Sequence, residues 1–325
     1  MTSPEERPLA PNDPWASLVD RSIREWDAPN RNMFRIARDF LQANTSLDDF
    51  LCSPRELPLF WFFQRRETFL SQTTLTKWSR DRLDDYVLLP ALNGFVLRSE
   101  CFFVSHFWLT SNDPDPDGKY LRLLQQELEP QSWSYIWVDW TCIPQHPRTE
   151  REQAYFLRGL ETMPGIIRNC GFIWFYPPFE PRLWILYEIA EYSLTCDGGI
   201  ENFDDIKEFL EHIKEMQEVG VRATLSKHGY RCADDLDKEC LTSLLEFLCI
   251  LRRLRLDVED IRKLMDRMTW STRTHTVICG TLDGVVELCR FDGTLKLNGE
   301  CHTFTPFPRW EDSKYFSAIN TISHE

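Results

Sequence analysis

Three short apolar stretches decide the fold: CFFVSHFW (101–108), YIWVDWTCIPQ (135–145) and GFIWFY (171–176). Each is followed by a polar or proline-containing break and then by a stretch with helical periodicity, the last of which is RLWILYEIAEYSL (182–194). Strand and helix alternating three times favour parallel pairing with right-handed crossovers. Strands buried on both faces form continuous apolar runs, as these do. We therefore expect an α/β domain with a parallel sheet flanked by helices.

The rest of the chain differs in pattern from this domain, which we place at 95–196. Residues 1–14 are charged and proline-rich, and we expect a disordered leader. Residues 15–94 have apolar positions at three- and four-residue spacing, which predicts a helical N-terminal region, with LPLFWFF near Phe60 as a buried strand or core segment. Residues 197–270 are predicted to form a second helical region.

The C-terminal region, 271–325, changes to a β-rich pattern. Three dipeptides that readily adopt positive φ angles separate its apolar runs: Asp283-Gly284, Asp292-Gly293 and Asn298-Gly299. Tight hairpin turns need such angles, so we expect a four-stranded antiparallel meander. Because no fourth and fifth parallel strands follow residue 196, the parallel sheet is either truncated or completed by another segment, such as this meander.

Composition excludes several classes of partner. The 325 residues include 37 basic and 51 acidic side chains, and a net charge of −14 repels a polyanion such as DNA. No apolar run approaches the ~18 residues of a membrane-spanning helix. The eleven cysteines include no CxxC pair, and no export signal is evident, which favours reduced thiols in a cytoplasmic protein without a metal site.

Ligands of parallel sheets bind at the carboxyl ends of the strands, where loops and helix N-termini converge. Seven residues at these ends or on the following helix are candidates for a binding site: Ser105, His106, Trp108, Asp139, Trp140, Trp184 and Glu188. Trp184 and Glu188 are four residues apart and share one helical face, where a carboxylate beside an indole suits a flat heterocycle joined to a sugar. The competing interpretation is a core Trp184 and a solvated Glu188.

Three candidate residues have two interpretations each. Asp139 either bonds backbone N–H groups to lock its turn or contacts a ligand. His106 either fixes geometry by bonding a carboxylate or acts as a general base. Cys142 is either a packed thiol or a nucleophile activated by His106 or His146.

The same segments resemble a known family. FFVSHFW is similar to the opening SHxW of the fungal heterokaryon-incompatibility (HET) domain, and YIWVDWTCIPQ resembles that family's IWIDxxCIxQ block. HET domains are related to TIR domains, and PRLWILYEIAEY is similar to the TIR segment S-x-WCLxEL, with Ile185 in place of the cysteine. The resemblance covers roughly 95–195 and implies a TIR/flavodoxin-like sheet.

In enzymatic TIR domains the glutamate of that segment is catalytic in NAD cleavage, and it corresponds here to Glu188. The resemblance thus implies a signalling, incompatibility or defence protein that cleaves NAD or a related nucleotide as substrate, without a cofactor. Ser105 and the N–H groups after the first strand would receive a phosphate, and Trp108, Trp140 or Trp184 would stack on a ring, worth ~1–3 kcal/mol. The alternative is a non-catalytic TIR-like module that binds other copies of itself or partner proteins.

Overall fold

The computed structural model describes residues 13–26, 31–52, 59–91, 94–110, 112–176, 178–196, 205–232, 234–270 and 274–308. The predicted leader, 1–14, lies outside these residues except at its last two positions. Asp13 caps the first helix by accepting a hydrogen bond from the Trp15 N–H at 2.9 Å. Pro14 occupies the first helical position, where a missing N–H costs little.

The described helices are α1 Pro14–Glu25, α2 Arg31–Ala43, α3 Leu47–Leu51, α4 Arg66–Ser71, α5 Lys119–Leu128, α6 Asp139–Cys142, α7 Glu150–Asn169, α8 Leu183–Leu194, α9 Lys207–Val219, α10 Val221–Lys227, α11 Asp235–Arg253 and α12 Val258–Trp270. The strands are β1 Phe60–Arg65, β2 Tyr86–Pro90, β3 Cys101–His106, β4 Tyr135–Val138, β5 Gly171–Phe175, β6 Thr276–Thr281, β7 Gly284–Cys289, β8 Thr294–Leu297 and β9 Glu300–Thr303. Among the described helices, none combines the length and the apolar character needed to span a bilayer.

The chain divides into two compact units. The first comprises Met1–Val104, Trp108–Thr162 and Asn169–Ile173. The second comprises Ser105–Phe107, Met163–Arg168 and Trp174–Glu325. The division falls within β3, α7 and β5, so neither unit is one continuous segment of the sequence.

Five strands form one mixed sheet in the order β2-β1-β4-β3-β5. β3 and β4 pair in parallel, with Phe103 opposite Trp137. β1 pairs antiparallel with both β2 and β4. The prediction of an α/β fold is therefore confirmed, and β3 and β4 pair in parallel as predicted, but the sheet as a whole is mixed and not parallel.

The N-terminal region, and not the meander, supplies the two additional strands. FWFFQR (60–65) and YVLLP (86–90) form β1 and β2 inside the stretch predicted to be helical, 15–94. Both strands are apolar runs and are buried almost throughout, as strands covered on both faces should be. The helical description of this region is therefore incomplete, and of the two alternatives given for the stretch near Phe60, a buried strand or a core segment, the structure has the strand.

Aromatic side chains form the core of the first unit. Phe62 of β1 meets the rings of Trp78, Tyr86 and Tyr155 edge-on, at centroid distances of 5.6, 5.7 and 5.5 Å. Phe62 itself is fully buried. Burying each large apolar side chain contributes about 1.5–3 kcal/mol, so this group holds β1, β2 and α7 together.

A buried ionic network joins three helices of the second unit. Arg168 of α7 is fully buried and donates to Glu191 of α8 at 2.6 Å and to Asp266 of α12 at 2.8 Å. The Tyr187 hydroxyl donates to the same Glu191 carboxylate at 3.0 Å. Removing one member of such a network leaves a buried charge without its partner, so these contacts fix α8 in place.

The C-terminal strands form a separate antiparallel sheet in the order β6-β7-β8-β9, which confirms the predicted meander. At the β8–β9 turn, Asn298 and Gly299 have φ angles of 50° and 86°. Gly293 has a φ of 62°, and an added Cβ would lie 2.2 Å from the Phe304 carbonyl oxygen. A residue with a side chain therefore cannot replace this glycine without moving the backbone.

Candidate active site

Ser105, at the end of β3, is the centre of a hydrogen-bonded group. Ser105 is 1% exposed, and its hydroxyl donates to the Glu188 carboxylate. The Tyr176 hydroxyl, directly after β5, donates to Ser105 Oγ at 2.6 Å. A serine hydroxyl can accept and donate at the same time, so the three side chains form a directed chain that ends on the carboxylate. We call these three residues the Ser105 cluster.

Tyr176 fixes the direction of this chain. Burial and the nearby Glu188 carboxylate raise the pKa of Tyr176 well above its ordinary value. The phenol therefore keeps its proton at neutral pH and remains a donor to Ser105. Tyr176 is absent from the predicted site residues, although its place directly after a strand is the same signal that identified Ser105.

The packing of α8 determines where Glu188 lies. Leu183, Leu186 and Ile189 of α8 are at most 1% exposed. The Leu183 N–H donates to the Arg231 carbonyl at 3.0 Å, which anchors the start of the helix. Glu188 is half-buried and bonded to Ser105, so it is not the fully solvated carboxylate of the competing interpretation.

Trp184 contacts helix α11. Its indole N–H donates to Asp237 Oδ2 at 3.3 Å, and its ring lies 6.4 Å from that of Tyr187. Burial and the charge of Asp234 raise the pKa of Asp237 to about 6, against the opposing effect of the Trp184 hydrogen bond. These contacts assign Trp184 to the packing of α8 against α11.

The backbone after Ser105 is hydrogen-bonded within the protein at Phe107. His106 is 8% exposed, and the next residue, Phe107, donates its N–H to the Phe175 carbonyl at 3.1 Å. The Arg182 guanidinium lies 4.8 Å from the Phe107 ring centre. Because the Ser105 hydroxyl and the Phe107 N–H are both occupied, the predicted phosphate-binding role has no support from these two donors.

Three other predicted residues form a second group, which we call the Asp139 cluster. The indole N–H of Trp108 and the backbone N–H of Trp140 donate to the Asp139 carboxylate at 2.9 and 2.6 Å. The two indole rings meet edge-on at 5.2 Å. The carboxylate thus locks the turn after β4, in line with the structural interpretation of Asp139. These residues belong to the first unit, whereas the Ser105 cluster, His106 and Trp184 belong to the second.

Cys142 has the surroundings of a packed thiol. Its sulfur lies 3.4 Å from the Thr141 hydroxyl and 3.5 Å from the Ile136 carbonyl oxygen. Cys142 is 1% exposed, and burial raises the pKa of its thiol to about 11. Such a thiol stays protonated at neutral pH and is inaccessible. These surroundings favour the packed-thiol interpretation of Cys142 over that of an activated nucleophile.

An aromatic group that the sequence analysis missed borders Tyr176. The ring of Phe209 on α9 lies 5.9 Å from that of Tyr176, and Phe179 lies 4.8 Å from Phe209 and 5.5 Å from His212. An apolar surrounding lowers the local dielectric constant, which strengthens the field of a nearby carboxylate. The sequence carries no local signal for this group, because α9 is remote from β5 along the chain.

Comparison with protein-family models, with curated proteins and with solved structures finds no match to this chain. The geometry of the site is therefore the basis for assigning a function. That geometry is a half-buried carboxylate oriented by a chain of two hydroxyl groups. Such a group can stabilise a positive charge that develops in a transition state, or accept hydrogen bonds from the hydroxyl groups of a sugar.

Proposed function

We propose that this chain is a HET/TIR-like signalling or defence protein that cleaves NAD or a related nucleotide at the N-glycosidic bond, with Glu188 as the catalytic residue. The observation that carries the proposal is the hydrogen bond from Ser105 to Glu188. It holds the carboxylate at the carboxyl end of β3, where ligands of parallel strands bind. The resemblance of PRLWILYEIAEY (181–192) to the TIR segment points to the same glutamate.

The reaction requires charge stabilisation at one carbon atom. The bond between the anomeric carbon of the ribose and the nicotinamide nitrogen breaks, and its electron pair leaves with the nitrogen, which neutralises the pyridinium. Positive charge develops on the ribose, and the Glu188 carboxylate lowers its energy electrostatically. Water then adds to the anomeric carbon and loses a proton, which gives nicotinamide and ADP-ribose.

Ser105 and Tyr176 are positioning residues in this mechanism. The Ser105 hydroxyl holds one orientation of the carboxylate, and Tyr176 holds the orientation of that hydroxyl. A charge that is already oriented needs no reorganisation when the bond breaks, which is the main source of electrostatic catalysis.

We further propose that 95–196 is a TIR/flavodoxin-like domain of a cytoplasmic protein. The adjacency of β4, β3 and β5, with α8 following β5, supports this assignment. The antiparallel strands β1 and β2 would then be an addition at the β4 edge. All eleven cysteines are free thiols, a state that a reducing compartment maintains.

The proposal is tested by following nicotinamide release from NAD with the full chain, at concentrations high enough for self-association. Glu188→Gln keeps the shape of the side chain and removes its charge. We expect the rate to fall about 10²-fold or more, as when a group that stabilises the transition state is lost. Glu180→Gln is the matched control, because Glu180 is an exposed carboxylate near the start of the same helix, and it should keep the wild-type rate.

Two results would contradict the enzymatic proposal. One is no nicotinamide release by the wild-type chain at any concentration at which it self-associates. The other is equal turnover by wild type and Glu188→Gln. Either result would mean that the Ser105 cluster has a structural role and not a catalytic one.

The second candidate function is a non-catalytic assembly module that binds further copies of this chain. The meander exposes three large apolar side chains at one end: Ile278 at 58%, Leu282 at 85% and Val285 at 59%. Gly280 is paired with Val285, and Ile278 is two residues from Gly280, so Ile278 and Val285 share the outward face of the sheet. An exposed apolar patch of this kind is typical of an interaction site.

The assembly module makes a different prediction. Val285→Glu places a charge in the apolar patch and should abolish self-association in sedimentation velocity, while Glu188→Gln should leave it intact. Ile36→Glu is the control, because Ile36 is an exposed apolar residue of α2, away from the meander in sequence. Unchanged association of Val285→Glu would exclude this face.

A further inference from the structure

Three side chains of the meander region meet at one point. His275 directly precedes β6, Cys289 ends β7, and Asp292 lies in the turn that follows. One potential ligand atom from each of the three lies within 4.8 Å of the other two. His275 Nε2 and Asp292 Oδ2 are 3.3 Å apart. His275 lies 14 residues before Cys289, and the pairing of β6 with β7 brings these two together, while Asp292 follows Cys289 by three residues.

This group has the donor chemistry of a zinc site. Imidazole nitrogen, thiolate sulfur and carboxylate oxygen are the three ligand types that Zn²⁺ uses in proteins. Two ligands each ~2.0–2.1 Å from a tetrahedral zinc ion lie about 3.3–3.4 Å apart, which agrees with the His275–Asp292 separation of 3.3 Å. A thiolate and a carboxylate also balance the two charges of the ion.

The surroundings hold the three ligands in place. The Thr276 hydroxyl lies 3.1 Å from His275 Nδ1, the ring nitrogen that faces away from Asp292, and 3.8 Å from the sulfur of Cys289. Thr276 and Cys289 are paired across β6 and β7. The Arg290 N–H donates to the His275 carbonyl at 2.9 Å. A partner on the second ring nitrogen is the usual means of orienting a metal-binding histidine.

We propose that His275, Cys289 and Asp292 bind Zn²⁺, with water or an external ligand in the fourth position. The expectation from the sequence was a protein without a metal site, because zinc sites are commonly recognised by closely spaced cysteine pairs. Here His275 precedes β6, Cys289 ends β7 and Asp292 lies in the next turn, an arrangement without a CxxC pair. This inference is independent of the proposed nucleotide chemistry, because its readout is metal binding and not turnover.

The competing interpretation is a surface ion pair between His275 and Asp292 beside an unrelated cysteine. His275 and Asp292 side chains are 49% and 60% exposed, and such pairs contribute about 0–1 kcal/mol. The two interpretations differ in the role of the Cys289 sulfur. The ion pair does not involve this atom, whereas a metal ion would bond to it directly.

The test is a Co²⁺ titration of the reduced, metal-free full chain, because a Co²⁺–thiolate bond has its own charge-transfer absorption. We expect one equivalent of Co²⁺ to produce this band and Zn²⁺ to abolish it by displacement. Cys289→Ser should lose the band, and Cys301→Ser, a change of an exposed meander cysteine outside the group, should retain it.

His275→Gln provides a second variant at an exposed position, where the fold should be unaffected. We expect it to weaken Zn²⁺ binding about tenfold or more, while His302→Gln, on β9, leaves the affinity unchanged. Circular dichroism verifies that each variant is folded. A wild-type chain without the band, a band that survives Cys289→Ser, or unchanged Zn²⁺ affinity in His275→Gln would overturn the proposal.

Discussion

Two carboxylates on the same helix, Glu188 and Glu191 of α8, have opposite surroundings. Glu191 is fully buried and receives hydrogen bonds from Arg168 and the Tyr187 hydroxyl. Glu188 is half-buried and accepts a hydrogen bond from the hydroxyl of Ser105. Burial raises the pKa of Glu191, and the contacts with Arg168 and Tyr187 offset part of that rise.

The difference distinguishes Glu191, which has a structural role, from Glu188, for which we propose a catalytic one. The buried charge of Arg168 neutralises Glu191, so Glu191 cannot act on a ligand, and its removal would leave Arg168 buried with one carboxylate partner fewer. Glu188 is oriented by a neutral donor and keeps an accessible fraction, as a carboxylate must if it is to meet a substrate. A helical pattern alone cannot distinguish two glutamates three residues apart.

The largest effect on stability should come from removing the carboxylate of Glu191. Glu191→Ala leaves Arg168 buried with Asp266 as its remaining carboxylate partner, and we expect the free energy of unfolding to fall by about 3 kcal/mol. Urea unfolding followed by tryptophan fluorescence and circular dichroism measures this loss. Arg168→Met combined with Glu191→Leu and Asp266→Leu should recover most of it, because replacing all three charged members by apolar side chains leaves no unpaired charge. A loss below about 1 kcal/mol would show that the network is not structural.

A smaller effect on stability, with a separate effect on turnover, should follow from Ser105→Ala. The change leaves Tyr176 and Glu188 without their shared partner, and we expect a loss of about 1–3 kcal/mol in unfolding free energy. The kcat for nicotinamide release should also fall, because the Glu188 carboxylate keeps its charge but loses the hydroxyl that orients it.

Tyr176→Phe is the control for this change, because it removes only the outer member of the chain. We expect an intermediate loss of turnover and a loss of about 1 kcal/mol in stability. If Ser105→Ala lowered stability without changing the rate of nicotinamide release, Ser105 would have no positioning role.

The smallest effect concerns Asp237, a third carboxylate close to α8. Its pKa in the folded protein is about 6, above its ordinary value of 3.8. The folded state therefore holds this proton more tightly than the unfolded chain, so the stabilising contribution is complete below about pH 4 and is lost as the pH rises through 6. Because Asp237 is partly exposed, we expect Asp237→Asn to be only about 1 kcal/mol more stable than wild type at pH 8.

At about pH 4 the two proteins should have the same stability, because the carboxyl of Asp237 is then protonated in the folded state. Urea unfolding at both pH values provides the measurement. A difference between wild type and Asp237→Asn that does not depend on pH would contradict the raised pKa.

The local sequence pattern was sufficient to predict several features of the fold. The continuous apolar runs of β3, β4 and β5 and the positive-φ turn at Asn298-Gly299 are properties of a few adjacent residues, and the structure has them as predicted. The bond from Asp139 to the N–H of Trp140 is similarly local. Such features depend on short-range sterics and hydrogen bonding, which the sequence expresses directly.

Features that depend on distant pairing could not be predicted in this way. β1 joins β4 across about 70 residues of chain, and nothing within FWFFQR (60–65) indicates an antiparallel partner. The contact of Trp184 with Asp237 also depends on tertiary packing, because α8 and α11 are remote from each other along the chain. Helix periodicity correctly placed Trp184 and Glu188 on α8, but it could not indicate that α11 would hold the indole.

The most direct test of the central claim is binding of a nucleotide at Glu188. Ligand-detected NMR of the full chain with an NAD analogue whose ribose ring oxygen is replaced by carbon measures this without cleavage. We predict saturation transfer to the protons of the nicotinamide-side sugar in wild type and its marked reduction in Glu188→Gln, with Glu180→Gln behaving as wild type. Absence of transfer in wild type, or equal transfer in wild type and Glu188→Gln, would contradict the assignment of Glu188 to ligand chemistry.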